Sequence, residues 1–156
     1  MRYLSLLLFL SACTAVGPLY DASKMSKSGA IILYRPMMYL GNGAGLYDVE
    51  LDGKTTCRLH PGSFWVITPK GGDVTISSSI WSDPGTSKIS VKTDDKRVRY
   101  VKMLPNNDKQ IIGVTAGLIG LLVAEGVSES SGPFLFAEIE REQAEIELAT
   151  LKQDCI

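Results

Sequence analysis

Histidine is nearly missing from this chain: His60 is the single one in 156 residues. No spacing of ligands suited to zinc is present, no Gly-x-Ser-x-Gly elbow presents a serine nucleophile, and no glycine-rich turn opens a helix to cradle phosphate. The run Gly41-Asn42-Gly43-Ala44-Gly45 is rich in glycine but joins two predicted strands, so the helix amino terminus that anion binding needs is absent. Lysine and arginine form no stripe and the formal net charge is −1, which excludes a dedicated nucleic-acid surface. Asp48, Asp52, Asp73 and Asp83 are scattered at turns, where aspartate bonds to nearby backbone, and no pair of them demands acid–base work. His60, beside Pro61 and on the strand face that carries Lys54, Thr56 and Arg58, reads as a solvated turn residue. The chain is expected to be noncatalytic, with no metal and no cofactor.

What is present begins at the amino terminus. Arg2 precedes an apolar run from Leu4 to Leu10 that closes in Leu10-Ser11-Ala12-Cys13. A basic start followed by a short apolar stretch is the form of an export signal and is too short to span a bilayer. With a cysteine directly after small residues it resembles a bacterial lipoprotein signal. The resemblance implies cleavage before Cys13, with residues 1–12 removed and Cys13 carrying covalent lipid. The plainer alternative is an ordinary signal cut nearby, after Ala15. Two or three acyl chains, at about 0.8 kcal/mol per buried methylene, hold a protein on a membrane almost irreversibly. Thr14 stands where an aspartate would be associated with retention at the inner membrane. The resemblance therefore implies an outer-membrane anchor facing the periplasm. Residues 13–29, with Gly17-Pro18 and the polar stretch Asp21 to Ser28, read as a lipidated tether.

Residues 30–156 are of the size of one domain. From Ala30 onward, short β-branched and aromatic segments alternate with glycine, proline and aspartate, the pattern of an antiparallel sheet. Strands are predicted at Ala30–Arg35, Leu46–Glu50, Lys54–His60, Ser63–Thr68, Asp73–Trp81, Ser87–Thr93 and Arg97–Met103. Seven at this spacing predict a mainly β fold, an antiparallel β-sandwich. Both faces of Ala30–Arg35 are apolar, so it is expected at the centre with cover on both sides. At Asp52-Gly53 two registers compete. A two-residue loop sets Leu51 against Lys54 and Asp48 against Cys57. A three-residue loop with a bulge at Gly53 pairs Glu50 with Lys54, Asp48 with Thr56 and Tyr47 with Cys57. The second gathers the apolar residues on one face and is the expected one.

Over Ala30 to Met103 these features together are similar to a bacterial lipoprotein family: Tyr34-Arg35-Pro36 closing a strand, Val49-x-Leu51-Asp52-Gly53, Leu59-x-Pro61-Gly62-Ser63-Phe64, and Pro69-x-Gly71 before a strand. The family is known as domain of unknown function 2846. The resemblance implies a small β-sandwich, related to PEGA-type surface modules, with no established activity to carry over.

After Met103 the pattern departs from that family. Ile111 to Val127, within a predicted helical insertion over residues 109–127, is strongly apolar. It places Gly113, Gly117, Gly120 and Ala124 along one side of a helix, where small residues let two backbones approach closely. Its continuous apolar run stops at Glu125, short of the roughly 17 to 25 residues a spanning helix needs. Three readings stay open: a helix packed on the sandwich, a face for a partner or a second copy of the chain, and membrane insertion. A last strand is expected over Phe134–Glu140. A C-terminal helix is expected over residues 141–154, its buried stripe formed by Ala144, Leu148, Leu151 and Cys155.

If Cys13 is acylated, two thiols remain, Cys57 and Cys155, in an oxidising compartment. Either they pair, or Cys57 is a small core thiol and Cys155 a frayed terminal one. Among the aromatics, Tyr39, Trp65, Trp81 and Tyr100 are candidates for contact with sugar or protein wherever they are exposed. The sequence thus suggests a membrane-anchored periplasmic lipoprotein, acting as a noncatalytic binding or structural module toward an envelope protein or glycan. The alternatives are an envelope enzyme with an unrecognised site and a self-associating subunit joined through the Gly-rich helix.

Overall fold

A computed structural model describes residues 15, 17–25, 27–37, 46–80, 83–93, 96–106, 129–130, 132 and 134–155. Ten strands among these form two five-stranded sheets that face each other as a β-sandwich. In chain order they are β1 (Ile31–Arg35), β2 (Tyr47–Leu51), β3 (Lys54–Leu59), β4 (Ser63–Ile67), β5 (Val74–Ile80), β6 (Asp83–Val91), β7 (Arg99–Pro105), β8 (Glu129–Ser130), β9 (Phe134–Ile139) and β10 (Lys152–Gln153). Two helices accompany them, α1 (Ala22–Met25) and α2 (Arg141–Leu148). One sheet runs β10-β4-β1-β7-β9 and the other β3-β2-β5-β6-β8. The second is antiparallel throughout, whereas in the first β1 pairs parallel with β7 and β10 parallel with β4.

β1 occupies the centre of its sheet and is buried along its whole length. Its alternation explains why: Ile31 and Leu33 enter the core between the sheets with Val49, Leu59, Ile76, Val101, Met103 and Phe134. Ile32 and Tyr34 point the other way, into a second cluster with Phe64, Tyr100, Ala144, Leu148 and Leu151. α2 lies over that outer face, so the strand with two apolar faces has cover on both.

The β2–β3 hairpin corrects the expected register. The loop has two residues: Leu51 faces Lys54, and Asp52 and Gly53 both adopt left-handed φ, 50° and 76°. Such a turn matches the twist of the flanking strands. The clash of charge with apolar residues that disfavoured this register is removed by a bulge at Thr56, between Thr55 (opposite Glu50) and Cys57 (opposite Val49). Beyond it Tyr47 faces Leu59, and Asp48 faces Arg58 with Oδ1 and Nε 2.6 Å apart. Glu50, expected opposite Lys54, instead accepts from Ser77 Oγ at 3.2 Å. Asp52 is fixed to β5, its amide and Oδ1 each 2.9 Å from the Thr75 carbonyl and amide.

Two further expectations are corrected at the termini. The C-terminal helix ends at Leu148, not at Asp154. The chain turns at Ala149-Thr150, drops Leu151 into the outer cluster and returns as β10. Burying Leu151 and pairing with the free edge of β4 wins over extending a helix that already exposes Ile146. Over its described residues the predicted tether is docked. Leu19 bridges Lys152, Gln153 N–H donates to the Pro18 carbonyl at 2.8 Å, and Tyr20 stacks edge-on against Phe64 at 5.5 Å. Polar composition gave no sign that Tyr20 and Met25 would seat on the outer apolar cluster.

Candidate functional site

The chain passes from one sheet to the other at the corner Leu59-His60-Pro61-Gly62-Ser63. Gly62, with φ 73°, makes the turn, and its amide donates to the Arg35 carbonyl at 3.0 Å. The C-terminal residues come to this corner from the far end of the sequence. β10 pairs with Ser63 and Phe64, and the Asp154 amide continues the ladder to the Phe64 carbonyl at 2.7 Å.

Asp154 then turns its carboxylate onto the corner. Oδ2 lies 2.9 Å from the His60 amide, 2.7 Å from His60 Nδ1 and 3.2 Å from Ser63 Oγ. The side chains of His60 and Asp154 are only 22% and 15% exposed. His60 is therefore a clasped residue and not the solvated turn residue its neighbours in sequence suggest. A carboxylate cannot donate, so the Nδ1 proton belongs to the histidine. Serine, histidine and aspartate meet here in an order unsuited to nucleophilic attack. The Ser63 hydroxyl lies 2.7 Å from the His60 carbonyl instead of against the ring, so the imidazole has no access to its proton. The arrangement orients backbone.

One residue on, Cys155 is joined to Cys57 by a disulfide, with Cα atoms 5.6 Å apart, inside the usual range. Cys155 has φ 56°, a conformation uncommon outside glycine and asparagine. The departure from extended backbone lets successive residues, Asp154 and Cys155, both reach back to the β3 side of the corner. The bond spans 98 residues and ties the edge strand of one sheet to the edge of the other.

Arg35 lies at the same end of the core, 1% exposed, its guanidinium 4.6 Å from the Tyr47 ring centre and 5.7 Å from that of Phe134. Nη1 donates to the Leu59 carbonyl at 3.0 Å, just before His60. Burial pulls its pKa down to about 10, because the charged form loses hydration.

A second polar group seats α2. Glu147 accepts from Tyr34 Oη at 3.0 Å, Lys102 Nζ at 2.8 Å and Gln143 Nε2 at 2.9 Å, while Tyr100 Oη donates to Glu145 at 3.2 Å. Burial opposes the charge of Glu147, but these donors outweigh it and hold the carboxyl below its ordinary value. Burial and the Glu147 charge together push the Tyr34 phenol up.

Of the other sequence-predicted residues, Cys13, Gly113, Gly117, Gly120, Ala124, Tyr39 and Trp81 lie outside the described residues. The described flanks of the insertion meet, with Asn106 Nδ2 donating to the Gly132 carbonyl at 2.8 Å. Trp65 and Tyr100 are core residues, 8% and 2% exposed, and offer no surface for a ligand. Among the described residues, no group of three histidine, cysteine or acidic side chains could hold a metal ion. No local signal announces the partnership of His60 with Asp154, since nothing connects positions 94 apart in sequence.

Fold and corner together define a β-sandwich clasped shut by its own C-terminus. No family model, curated protein or solved structure matches the chain.

Proposed function

We propose that this chain is a lipid-anchored module of the bacterial cell envelope, held at the outer membrane through Cys13 and facing the periplasm. It serves there as a noncatalytic binding or structural unit, in keeping with its resemblance to the lipoprotein family known as domain of unknown function 2846. The observation that carries the reading is the segment Leu4 to Cys13, an apolar run ending in Leu-Ser-Ala-Cys. Two features of the fold agree with it. The packed domain is under way by Ala15, 4% exposed, leaving one residue between the acceptor cysteine and the protein body. A disulfide across the domain suits an oxidising compartment. An envelope protein or glycan is the expected partner.

Mass analysis of the native protein from membranes tests the anchor. The expected product begins at Cys13 with acyl groups attached, and Cys13→Ser abolishes membrane association. Recovery of a soluble protein still carrying residues 1–12 overturns the proposal.

A further inference from the structure

We propose that the Cys57–Cys155 disulfide is a redox latch on the N-terminal strap, residues 15–25, and thereby sets how closely the domain sits against its lipid anchor. The anchor rests on the lipoprotein reading above; the latch does not. The strap's backbone is held by β10 and its flanks: Gln153 N–H to the Pro18 carbonyl at 2.8 Å, Tyr20 N–H to the Leu151 carbonyl at 3.3 Å, and the bridge of Leu19 to Lys152. Its side chains Tyr20 and Met25 rest on the outer apolar cluster, Tyr20 against Phe64 and Tyr100, and these contacts must part with it. Gly17 is so close to Gln153 that a Cβ there would run into the Gln153 carbonyl. β10 is itself only two residues long, joined to its sheet by Lys152 N–H to the Gly62 carbonyl at 3.3 Å and Asp154 N–H to the Phe64 carbonyl at 2.7 Å. So short a strand is marginal by itself. The covalent hold comes immediately after it, at Cys155, with the His60–Asp154 contact beside it.

A pull on the amino terminus is thus passed from strap to β10, then through the disulfide to β3. While the bond is intact and Ala15 stays docked, an anchor two residues upstream can lie no further than about 7 Å from the protein body, at roughly 3.3–3.6 Å per residue. If strap and β10 detach together, the next hold is at Ser28-Gly29, where the Ser28 hydroxyl and the Gly29 amide both donate to the Lys96 carbonyl, at 3.1 and 2.8 Å. A free segment of that length has a root-mean-square reach of about 20–24 Å. Cys57 is buried and Cys155 only partly so, which makes the Cys155 sulfur the point of attack. A dithiol reductant supplies two electrons and two protons. Its thiolate bonds to Cys155 Sγ and expels Cys57 as a thiolate, which takes up a proton. The second thiol of the reductant then attacks the mixed disulfide, frees Cys155 as a thiol and leaves the reductant as its own disulfide.

Hydrogen exchange of the full-length protein in phospholipid vesicles, with and without dithiothreitol, tests the latch. At labelling times short enough to leave β1 and β7 protected, reduction is expected to speed exchange over residues 15–25 and 151–155 at least tenfold. The double variant Cys57→Ser, Cys155→Ser should do the same without reductant. Gly17→Ala should free residues 15–25 with the disulfide intact. Unchanged exchange in the strap on reduction, or exchange of β1 and β7 in step with it, overturns the latch. Tryptophan energy transfer to dansyl-labelled headgroups should fall on reduction. A strap that opens without that fall overturns the control of distance, and an unacylated Cys13 in the same sample assigns that failure to the anchor.

Discussion

Asp154 grips His60 twice, through Oδ2 to the backbone amide at 2.9 Å and to ring Nδ1 at 2.7 Å. The pair makes the corner between the sheets a joint of three chain segments: the end of β3, the start of β4 and the C-terminus. Because both side chains are mostly buried, this contact is worth more than an exposed ion pair, whose median contribution is about 0–1 kcal/mol.

Asp154→Ala should therefore destabilise the domain. It leaves the half-buried His60 amide without its acceptor, a loss of about 1 kcal/mol. Urea denaturation should show a lower midpoint with an unchanged slope, since the disulfide still constrains the unfolded chain. A midpoint equal to that of the parent protein would show the contact to be energetically neutral.

Opening the disulfide has a separate effect on global stability. With the cysteines 98 positions apart, the chain-entropy relation gives nearly 5 kcal/mol, and measured values commonly fall at about 2–4 kcal/mol. Alkylation before reduction should label neither Cys57 nor Cys155, and after reduction both. The double serine variant should unfold at lower urea by the corresponding amount.

Gly53→Ala tests the hairpin. No atom within 4 Å would obstruct the added Cβ, but φ of 76° would have to be kept by a residue that disfavours it. The expected cost is about 1–2 kcal/mol, conformational and not steric. Asp52→Gly, at the neighbouring left-handed position, should lose less by conformation and more by giving up the bond from its carboxylate to Thr75.

Glu147 should make stability fall in acid. Its carboxyl titrates below the ordinary value of 4.5 in the folded protein, so the stabilisation is fully present above the unfolded value and disappears as pH falls through the folded one. Tyr34 acts at the other end. Its phenol is raised above 10.0, so its contribution is complete below pH 10 and is lost only as pH rises through the higher folded value. Thermal unfolding between pH 2 and 7 should show a shallower acid slope for Glu147→Gln than for the parent.

The strands were legible because each carries its own signal. β-branched and aromatic residues bounded by glycine, proline and aspartate place β1, β3, β4 and β9 within a residue of the expected bounds, and the two apolar faces of β1 mark it as central. The hairpin register departs from the expected one because the irregularity lies inside the ladder, beyond the turn, where neither a plain two-residue loop nor a bulge at Gly53 puts it. A bulge at Thr56 keeps the favourable turn and the apolar face together, at the cost of one unpaired residue. Of the expected stripe Ala144, Leu148, Leu151 and Cys155, the first three are buried together even though the helix stops at Leu148, since burial follows from apolarity whichever backbone delivers it; Cys155 is only partly buried and packs instead against the core between the sheets.

By itself, then, the sequence determined the sandwich, its central strand and most of the apolar partition of the C-terminal segment, because these depend on residue type and on spacing over a few positions. Only the tertiary structure decided that Pro18 to Tyr20 lie beside Leu151 to Gln153, that Asp154 holds His60 and that Cys155 bonds Cys57. Those contacts join residues from 94 to well over 100 positions apart, and no local periodicity encodes which exposed edge a returning terminus will cover. That choice was made by the free edge of β4, whose backbone needed partners, and by the apolar cluster beneath it, which had room for Tyr20 and Leu151.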